Sequence, residues 1–230
     1  MSTRKQALLS WSSGKDSAWA LHVLRGARDV EVVGLLTTFN AAFGRVAMHA
    51  VREALVEQQA AAVGLPLWRV PLPWPCPNDA YETAMETALE PVLEAGINHV
   101  AFGDLFLEDI RSYREERMAA IGMTPVFPLW GRETRSLASE MVGAGQRAIV
   151  VCVDPSKLDA GFAGREFDTE FLADLPPEVD ACGEYGEFHT LAYAGPEFRR
   201  PLQVQRGEIV ARDGFVFADV LPLESMAAPA

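Results

Sequence analysis

The chain has little positive charge and no long hydrophobic run. Its 230 residues include 20 Lys and Arg against 32 Asp and Glu, which gives a net charge of −12 and a pI near 4.8. A chain this acidic is unsuited to coating nucleic acid, so nucleic acid is not expected as a partner. No apolar stretch approaches the ~20 residues of a membrane span, so no contact with a membrane is predicted.

Cysteine is also scarce. Cys76, Cys152 and Cys182 are widely spaced, with no C-x-x-C pair and no Cys/His zinc spacing. An odd, dispersed set of thiols suits a reducing compartment and predicts a cytoplasmic location. Apolar residues make up 49% of the chain, which is enough for one large α/β domain or a domain with a small lobe.

A strand, a turn of small polar residues and a helix open the chain. Residues 6–11 are predicted to form a buried strand, and residues 17–26 a helix. Small residues leave backbone N–H groups free, and the start of the helix adds positive potential, so the turn suits phosphate. The candidate phosphate ligands are Ser10, Ser12, Ser13, Gly14, Lys15 and Ser17.

Two charged residues of this turn indicate more than a phosphate site. Lys15 can place a point charge on an anionic oxygen. Asp16 has the opposite sign, and a carboxylate beside bound phosphate suits a Mg²⁺ ion that bridges to phosphate oxygens. The alternative is that Asp16 only caps the helix.

Strand-like and helix-like segments alternate in the first half of the chain. Strands are predicted at 30–37, 67–70 and 98–103, and helices at 49–63, 78–95 and 108–122. This alternation predicts a parallel sheet with right-handed crossovers, with ligands at the carboxyl ends of its strands. The turn at 12–17, the loop after Thr38 and Asp104 should therefore share one rim. Residues 71–77 contain four prolines and are predicted to be irregular.

The second half has a different pattern. A helix is predicted at 137–144 and a strand at 148–154, and the charged segment 161–175 is predicted to contain a helix. Alternation around Gly207 and Asp213-Gly214 predicts a hairpin within 198–220. We therefore predict a nucleotide-binding domain at 1–124 and a C-terminal substrate lobe at 125–230.

Charged residues are dense at 103–117. Asp104 follows a predicted strand, which is a ligand position, although it could serve only as a turn residue. Arg111 is nearest the rim and is favoured for phosphate contact. The charged residues at 114–117 are equally consistent with a solvated, salt-bridged helix face.

Two more segments carry candidate chemistry. In residues 180–190, four side chains could bind Mg²⁺, hold a cationic group or transfer a proton: Asp180, Glu184, Glu187 and His189. Alternatively, they could lie in a solvated surface turn. Trp130 and Arg132 could frame a planar or anionic ligand, or could form the domain joint. The role of His49, at a predicted helix start, is open.

Together these segments resemble the diphthine–ammonia ligase family, which are N-type ATP pyrophosphatases of the adenine nucleotide α-hydrolase-like superfamily. The turn Ser-Ser-Gly-Lys-Asp-Ser at 12–17 resembles the PP-loop Ser-Gly-Gly-x-Asp-Ser, with Ser13 at a glycine position. Residues 183–190 resemble Gly-Glu-x-Gly-Glu-Phe-x-Thr. Gly103 with the Arg111 helix, and residues 128–132, are further anchors. The resemblance runs from about residue 5 to residue 198.

The resemblance implies an α/β fold: a Rossmann-like HUP parallel sheet with helices on both faces, plus a smaller C-terminal α+β lobe. It also implies ATP and Mg²⁺ as cofactors. ATP would adenylate a carboxylate acceptor, small-molecule or protein-borne, with release of pyrophosphate. Ammonia, free or delivered by a partner, would then form an amide. A homodimer is compatible with the pattern.

The resemblance also implies residue roles. The loop serines, Gly14 and Lys15 would hold phosphates, and Asp16 would bind the metal ion. Asp104 and Arg111 would complete the nucleotide site. The implied catalytic residues are Lys15, Asp16, Arg111, Glu184 and Glu187. The implied acceptor-side residues are Trp130, Arg132, Glu184, Glu187 and His189.

The same residues also fit other interpretations. Residues 11–13 and 103–111 resemble a bacterial branch of the family, whose acceptor would differ from diphthine. An adenine-nucleotide sensor or ATP hydrolase without ligase activity is one alternative, which Asp16 and the C-terminal carboxylates disfavour. A PP-loop tRNA-modifying enzyme is another, which the acidic charge disfavours.

Overall fold

Two β-sheets organise the chain in a computed structural model that describes residues 4–46 and 51–223. The first sheet contains β1 (Lys5–Ser10), β2 (Val30–Asn40), β3 (Arg45–Val46), β4 (Leu67–Leu72), β5 (His99–Ala101) and β6 (Thr124–Val126). Its helices are α1 (Lys15–Gly26), α2 (Glu53–Val63), α3 (Asn78–Glu94) and α4 (Glu108–Ala120). None of the helices in the described ranges is long and apolar enough to cross a membrane.

The second sheet is antiparallel and belongs to the C-terminal part of the chain. Its strands are β7 (Arg147–Val153), β8 (Phe188–Ala194), β9 (Val204–Arg212) and β10 (Phe215–Pro222), in the order β8-β7-β10-β9. Helices α5 (Thr134–Gly143) and α6 (Thr169–Asp174) and a 3₁₀ turn (Ala160–Phe162) accompany it. The predicted α/β class with a second, mixed lobe is confirmed. The predicted division between residues 124 and 125 stays a prediction.

The strand order of the first sheet creates a crevice beside β1. This strand pairs in parallel with β2 on one side and with β5 on the other. The chain first builds outward through β2 to β4, then returns to add β5 and β6 on the opposite side. Such a reversal leaves an opening at the carboxyl ends of the two central strands. The turn after β1 and the loop after β5 therefore face each other.

Neighbouring side chains of β1 enter two separate cores, because successive residues of a strand point to opposite faces. Leu8 packs in the cluster that holds Leu89 of α3 and Met118 of α4. Leu9 packs in the other cluster, with Leu21 of α1 and with residues of α2 and the second lobe. Helices therefore cover both faces of the parallel sheet.

The helix predicted within residues 161–175 is present as α6, but it is short. Only the 3₁₀ turn and the six-residue α6 are helical there. Between them the chain is extended alongside β7: Gly164 and Phe167 donate backbone hydrogen bonds to the carbonyls of Val150 and Ala148. A positive φ of 80° at Gly164 also interrupts any helix.

Other local predictions need smaller corrections. β4 includes Pro71, within the segment predicted to be irregular. Proline lacks an N–H but fits at a sheet edge, and β4 pairs only with β2 among the described strands. Helix α3 has Pro77 at its N-cap, and no side chain caps it. Strands β3, β6 and β8 were not predicted, and His49 lies outside the described residues.

Candidate active site

A cleft of about 250 Å³ lies where the turn after β1 meets the second lobe. Its walls come from most residues of the segments 10–17, 102–104 and 182–190, together with Arg114 of α4. Grooves of about 510 and 490 Å³ elsewhere on the surface are larger, but neither touches these segments. The cleft brings together these predicted site residues: Ser10, Ser12, Gly14, Lys15, Asp16, Ser17, Asp104, Glu184 and His189.

The turn after β1 changes the chain direction at Ser13. This residue has a φ of 72°, in the left-handed region, and is fully buried rather than exposed in the cleft. Gly14 is the N-cap of α1 and has no side-chain cap. Ser17 Oγ donates to the Gly14 carbonyl at 2.9 Å, and Ser12 Oγ donates to Ser17 Oγ at 3.2 Å. The first turn of α1 therefore begins in the cleft, where a helix presents N–H groups to an anion.

Lys15 and Asp16 form an ion pair at the base of the cleft. The Lys15 ammonium lies 2.8 Å from Asp16 Oδ2 and also donates to the carbonyl of Cys182. It lies 5.3 Å from the ring centres of both Phe167 and Phe188. Burial is the largest single influence on Lys15 and lowers its pKa. The negative groups around the ammonium, Asp16 first and Glu184 after it, together outweigh burial, so the net pKa is raised and the ammonium stays charged.

Asp16 is the residue that could hold a metal ion. Its side chain is 28% exposed, so it is accessible from the cleft. In the described part of the chain, no group of three or more His, Cys, Asp or Glu side chains is arranged to hold a metal ion. Mg²⁺ commonly takes one or two carboxylates and completes its shell with water and substrate phosphate. Asp16 could therefore be a single protein ligand of a magnesium ion whose other ligands are water and phosphate oxygens.

Asp104 is paired with Arg114 across the cleft. Arg114 Nε lies 2.6 Å from Asp104 Oδ2, and its Nη2 lies 3.1 Å from Oδ1. The guanidinium also lies 4.4 Å from the ring centre of Phe102. This two-point pairing fixes the plane of the guanidinium, so Arg114 is the α4 cation held at the cleft.

Arg111 lies outside the set of described residues that line the cleft. It pairs with Glu115 at 2.7 Å and lies 4.7 Å from the ring centre of Trp130. Arg132 pairs with Glu140 of α5. Trp130 and Arg132 therefore occupy the joint after β6, and their predicted ligand roles stay predictions.

Glu184 and His189 enter the cleft from the second lobe. Glu184 Oε1 accepts a hydrogen bond from the Leu105 N–H at 2.8 Å. Burial raises the pKa of Glu184 to about 7, and the nearby carboxylates of Asp16 and Asp104 add to the rise. Burial, with Lys15 nearby, lowers the pKa of His189 to about 4. At neutral pH the imidazole is therefore uncharged, and Glu184 is near its titration point.

Glu187 is buried behind the cleft instead of lining it. Its Oε1 accepts from the Asp180 N–H at 3.0 Å. Asp180 in turn accepts from the N–H groups of Cys182 and Glu184, at 3.0 and 3.1 Å. Burial raises the pKa of the Cys182 thiol, so this cysteine stays protonated and structural. These contacts hold the loop that carries Glu184.

Three buried polar residues outside the predicted site hold the backbone of the turn. Gln146 Nε2 donates to the Lys15 carbonyl at 2.7 Å, and Thr190 Oγ1 accepts from the Lys15 N–H at 3.1 Å. Gln59 binds the Ser13 carbonyl at 2.9 Å. Helical spacing could have identified Gln59, because it lies four residues after Leu55, on the buried side of α2.

The fold and cleft define an α/β protein whose candidate ligand site lies at the carboxyl ends of parallel strands. Two family models match the chain: the diphthamide synthase N-terminal domain over residues 4–125 and the diphthamide synthase C-terminal domain over residues 133–220. The chain belongs to the diphthamide synthase family, as its motifs predicted.

Proteins named diphthine–ammonia ligase are similar to this chain over much of its length. The one from Danio rerio is 28% identical over 233 residues, covering 91% of this chain and 90% of the relative. The one from Bos taurus is 25% identical over 181 residues, with 72% and 67% coverage. The one from Homo sapiens is 28% identical over 120 residues, with 50% and 45% coverage.

Proposed function

We propose that this protein is an ATP-dependent amide ligase similar to diphthine–ammonia ligase. It would activate a carboxylate with ATP, release pyrophosphate and form an amide with ammonia. The observation that carries the proposal is the shared cleft, in which the turn after β1 faces the Glu184 loop. The names of the similar proteins support the reaction class.

The N-terminal side of the cleft would bind the nucleotide. The turn and the first turn of α1 offer backbone N–H groups and hydroxyls to phosphate oxygens. Arg114, fixed by Asp104, adds a planar cation on the opposite wall. A Mg²⁺ ion held by Asp16 and the phosphates would stabilise the charge of departing pyrophosphate.

The second lobe would serve the acceptor. A carboxylate oxygen of the acceptor attacks the α-phosphorus, and the bond to pyrophosphate breaks. Ammonia then attacks the acyl carbon, AMP leaves, and the proton lost by nitrogen passes to Glu184. A carboxylate with a pKa of about 7 can accept a proton near neutral pH. Neutral His189, on the same wall, can hydrogen-bond the acceptor.

Glu187 would act indirectly, because it supports the Glu184 loop from the interior. The ligand roles of Ser13, Arg111, Trp130 and Arg132 stay predictions. The cytoplasmic location, the homodimer and the absence of nucleic-acid partners also stay predictions.

The test separates AMP from ADP after incubation with α-labelled ATP, Mg²⁺, ammonium and a desalted cell extract as the source of carboxylates. We expect AMP and pyrophosphate, with ¹⁵N from ammonium recovered in an amide. Asp16→Asn keeps the side-chain shape but removes its charge, and should slow AMP formation by about 10²-fold.

The matched control is Asp109→Asn, an exposed first-turn carboxylate of α4 away from the cleft, which should retain AMP formation. Formation of ADP, or no nucleotide turnover with any extract, would contradict the proposal. Equal losses in the two variants would contradict the role of Asp16.

A further inference from the structure

The amide of Gln59 uses all of its hydrogen-bonding groups at the turn after β1. Its Oε1 accepts from Trp11 Nε1 at 2.8 Å. Its Nε2 donates to the Ser13 carbonyl at 2.9 Å and to the Ala192 carbonyl at 2.6 Å. Gln59 is fully buried and Trp11 is 1% exposed. A buried network in which every group is paired is rigid, and it specifies one arrangement of the segments it joins.

Ser13 is the part of this network with an unfavourable backbone. Its φ of 72° places Cβ close to the following carbonyl, which disfavours any residue other than glycine. Its own hydroxyl is buried with no hydrogen-bond partner among the described residues, so the side chain does not compensate. The stabilisation comes through its carbonyl, which accepts from Gln59 Nε2 and, at 2.9 Å, from the Ala192 N–H.

We propose that Gln59 is a positioning residue that holds Ser13 in its left-handed conformation and so keeps the turn shaped for phosphate. It contacts the turn only from behind and lies outside the residues that line the cleft. Its effect on a ligand would therefore pass through the Ser13 backbone. That the ligand is ATP rests on the proposed function; the control of the Ser13 conformation does not.

The geometry explains why glutamine occupies this position. Trp11 Nε1 is a donor only, so it orients the amide with oxygen toward Trp11 and nitrogen toward the two carbonyls. Glutamate would face both carbonyls with an oxygen. Methionine has nearly the same length and is tolerated in cores, but it offers none of these hydrogen bonds.

A double-mutant cycle tests this coupling. ATP affinity is measured by calorimetry for the unaltered protein, Gln59→Met, Ser13→Gly and the double variant. With Ser13 present, Gln59→Met should raise the Kd for ATP about tenfold, equivalent to about 1.4 kcal/mol. In the chain that carries Ser13→Gly, the same change should cost less than about threefold, because glycine adopts positive φ without support.

Melting temperatures of the same four proteins give a readout that needs no ligand. The loss caused by Gln59→Met should be smaller in the Ser13→Gly chain. Thr37→Val is the matched control. It removes a buried hydrogen bond of 2.8 Å to the Trp11 carbonyl without touching Ser13. Its loss of stability should be the same with and without Ser13→Gly.

The outcomes separate this inference from the proposed function. Equal penalties of Gln59→Met in both chains, by affinity and by melting, would overturn the positioning role while ATP binding stands. Failure of the unaltered protein to bind ATP would overturn the proposed function, and the melting cycle would still decide the inference.

If Gln59→Met does not fold alone but folds with Ser13→Gly, the rescue supports the inference. If neither folds, Gln59→Asn, which keeps the amide but is one methylene shorter, takes its place in the cycle.

Discussion

Several carboxyl and imidazole groups of this protein are driven toward their neutral forms by burial. The pKa of Glu184 and that of Glu197 are both raised to about 7, and that of His189 is lowered to about 4. Desolvation disfavours the charged form in each case. Glu184 and His189 lie in the cleft, where a group that gains or loses a proton near neutral pH could take part in proton transfer. Glu197 lies outside it and has consequences for stability alone.

Glu197 predicts a pH-dependent stability. The residue is 1% exposed, and both carboxylate oxygens are without a hydrogen-bond partner among the described residues, although Arg25 is nearby. Its pKa in the folded protein lies above its ordinary value, so the protonated carboxyl favours the folded state at low pH. That contribution declines as pH rises from about 4.5 to 7. Glu197→Gln should therefore be more stable than the unaltered protein at pH 8, on the order of 1–3 kcal/mol.

Urea unfolding at pH 5 and pH 8 measures this difference. Glu178→Gln, at an exposed position, controls for the loss of one surface charge. If the free energy of unfolding of Glu197→Gln at pH 8 does not exceed that of the unaltered protein, the folded state accommodates the carboxylate charge and the prediction is wrong.

At the scale of elements, the cleft depends on how closely the loop after β5 approaches the start of α1. A Cβ added at Gly103 would lie 3.1 Å from the carbonyl carbon of Asp16 and from the nitrogen of Ser17. Those atoms are backbone of the first helical turn and cannot rotate away. Glycine at 103 therefore lets the two rims of the crevice meet.

Gly103→Ala should push the loop away from α1 and destabilise the protein by about 1–3 kcal/mol. It should also weaken ATP binding, because Asp104 moves with the loop. Gly143→Ala is the matched control. Its added Cβ meets nothing within 4 Å, and it should stabilise α5 by about 0.5–1 kcal/mol. Unfolding curves and ATP titrations compare the two. A Gly103→Ala protein as stable as the control would contradict this account.

At the scale of the whole molecule, both lobes build the turn after β1. The Lys15 N–H donates to Thr190 of β8, its carbonyl accepts from Gln146, and Ser13 pairs with Ala192. Farther from the cleft, Asp219 of β10 joins Arg52 at the start of α2. The N-terminal sheet carries the turn, but the C-terminal sheet completes its hydrogen bonds.

Thr190→Val tests this dependence between lobes. Valine has the same shape but leaves the Lys15 N–H without its acceptor, which costs about 1–3 kcal/mol when buried. We expect weaker ATP binding and a lower melting temperature, whereas Thr190→Ser, which keeps the hydroxyl, should retain both. Equal behaviour of the two variants would mean that the N–H finds another acceptor.

The sequence by itself determined most of the local elements and the family. Periodic apolar residues placed α1, α2 and α4 and strands β1, β2 and β7, since short-range spacing decides which face of an element is apolar. Asp213-Gly214 marked the hairpin between β9 and β10, where both residues take positive φ. The turn at 12–17 and the segment 183–190 indicated the family without knowledge of their contacts.

Only the tertiary structure decided which charged groups meet in the cleft. Arg111 and Arg114 lie three residues apart on α4, and their packing sends Arg114 to Asp104 and Arg111 to Glu115. Lys15 and Thr190 meet across 175 positions, and Gln59 reaches Ser13 from another helix. Such contacts depend on how whole elements dock. The spacing of residues along the chain does not show which side chains will meet, because the apolar packing of both sheets decides how the elements dock.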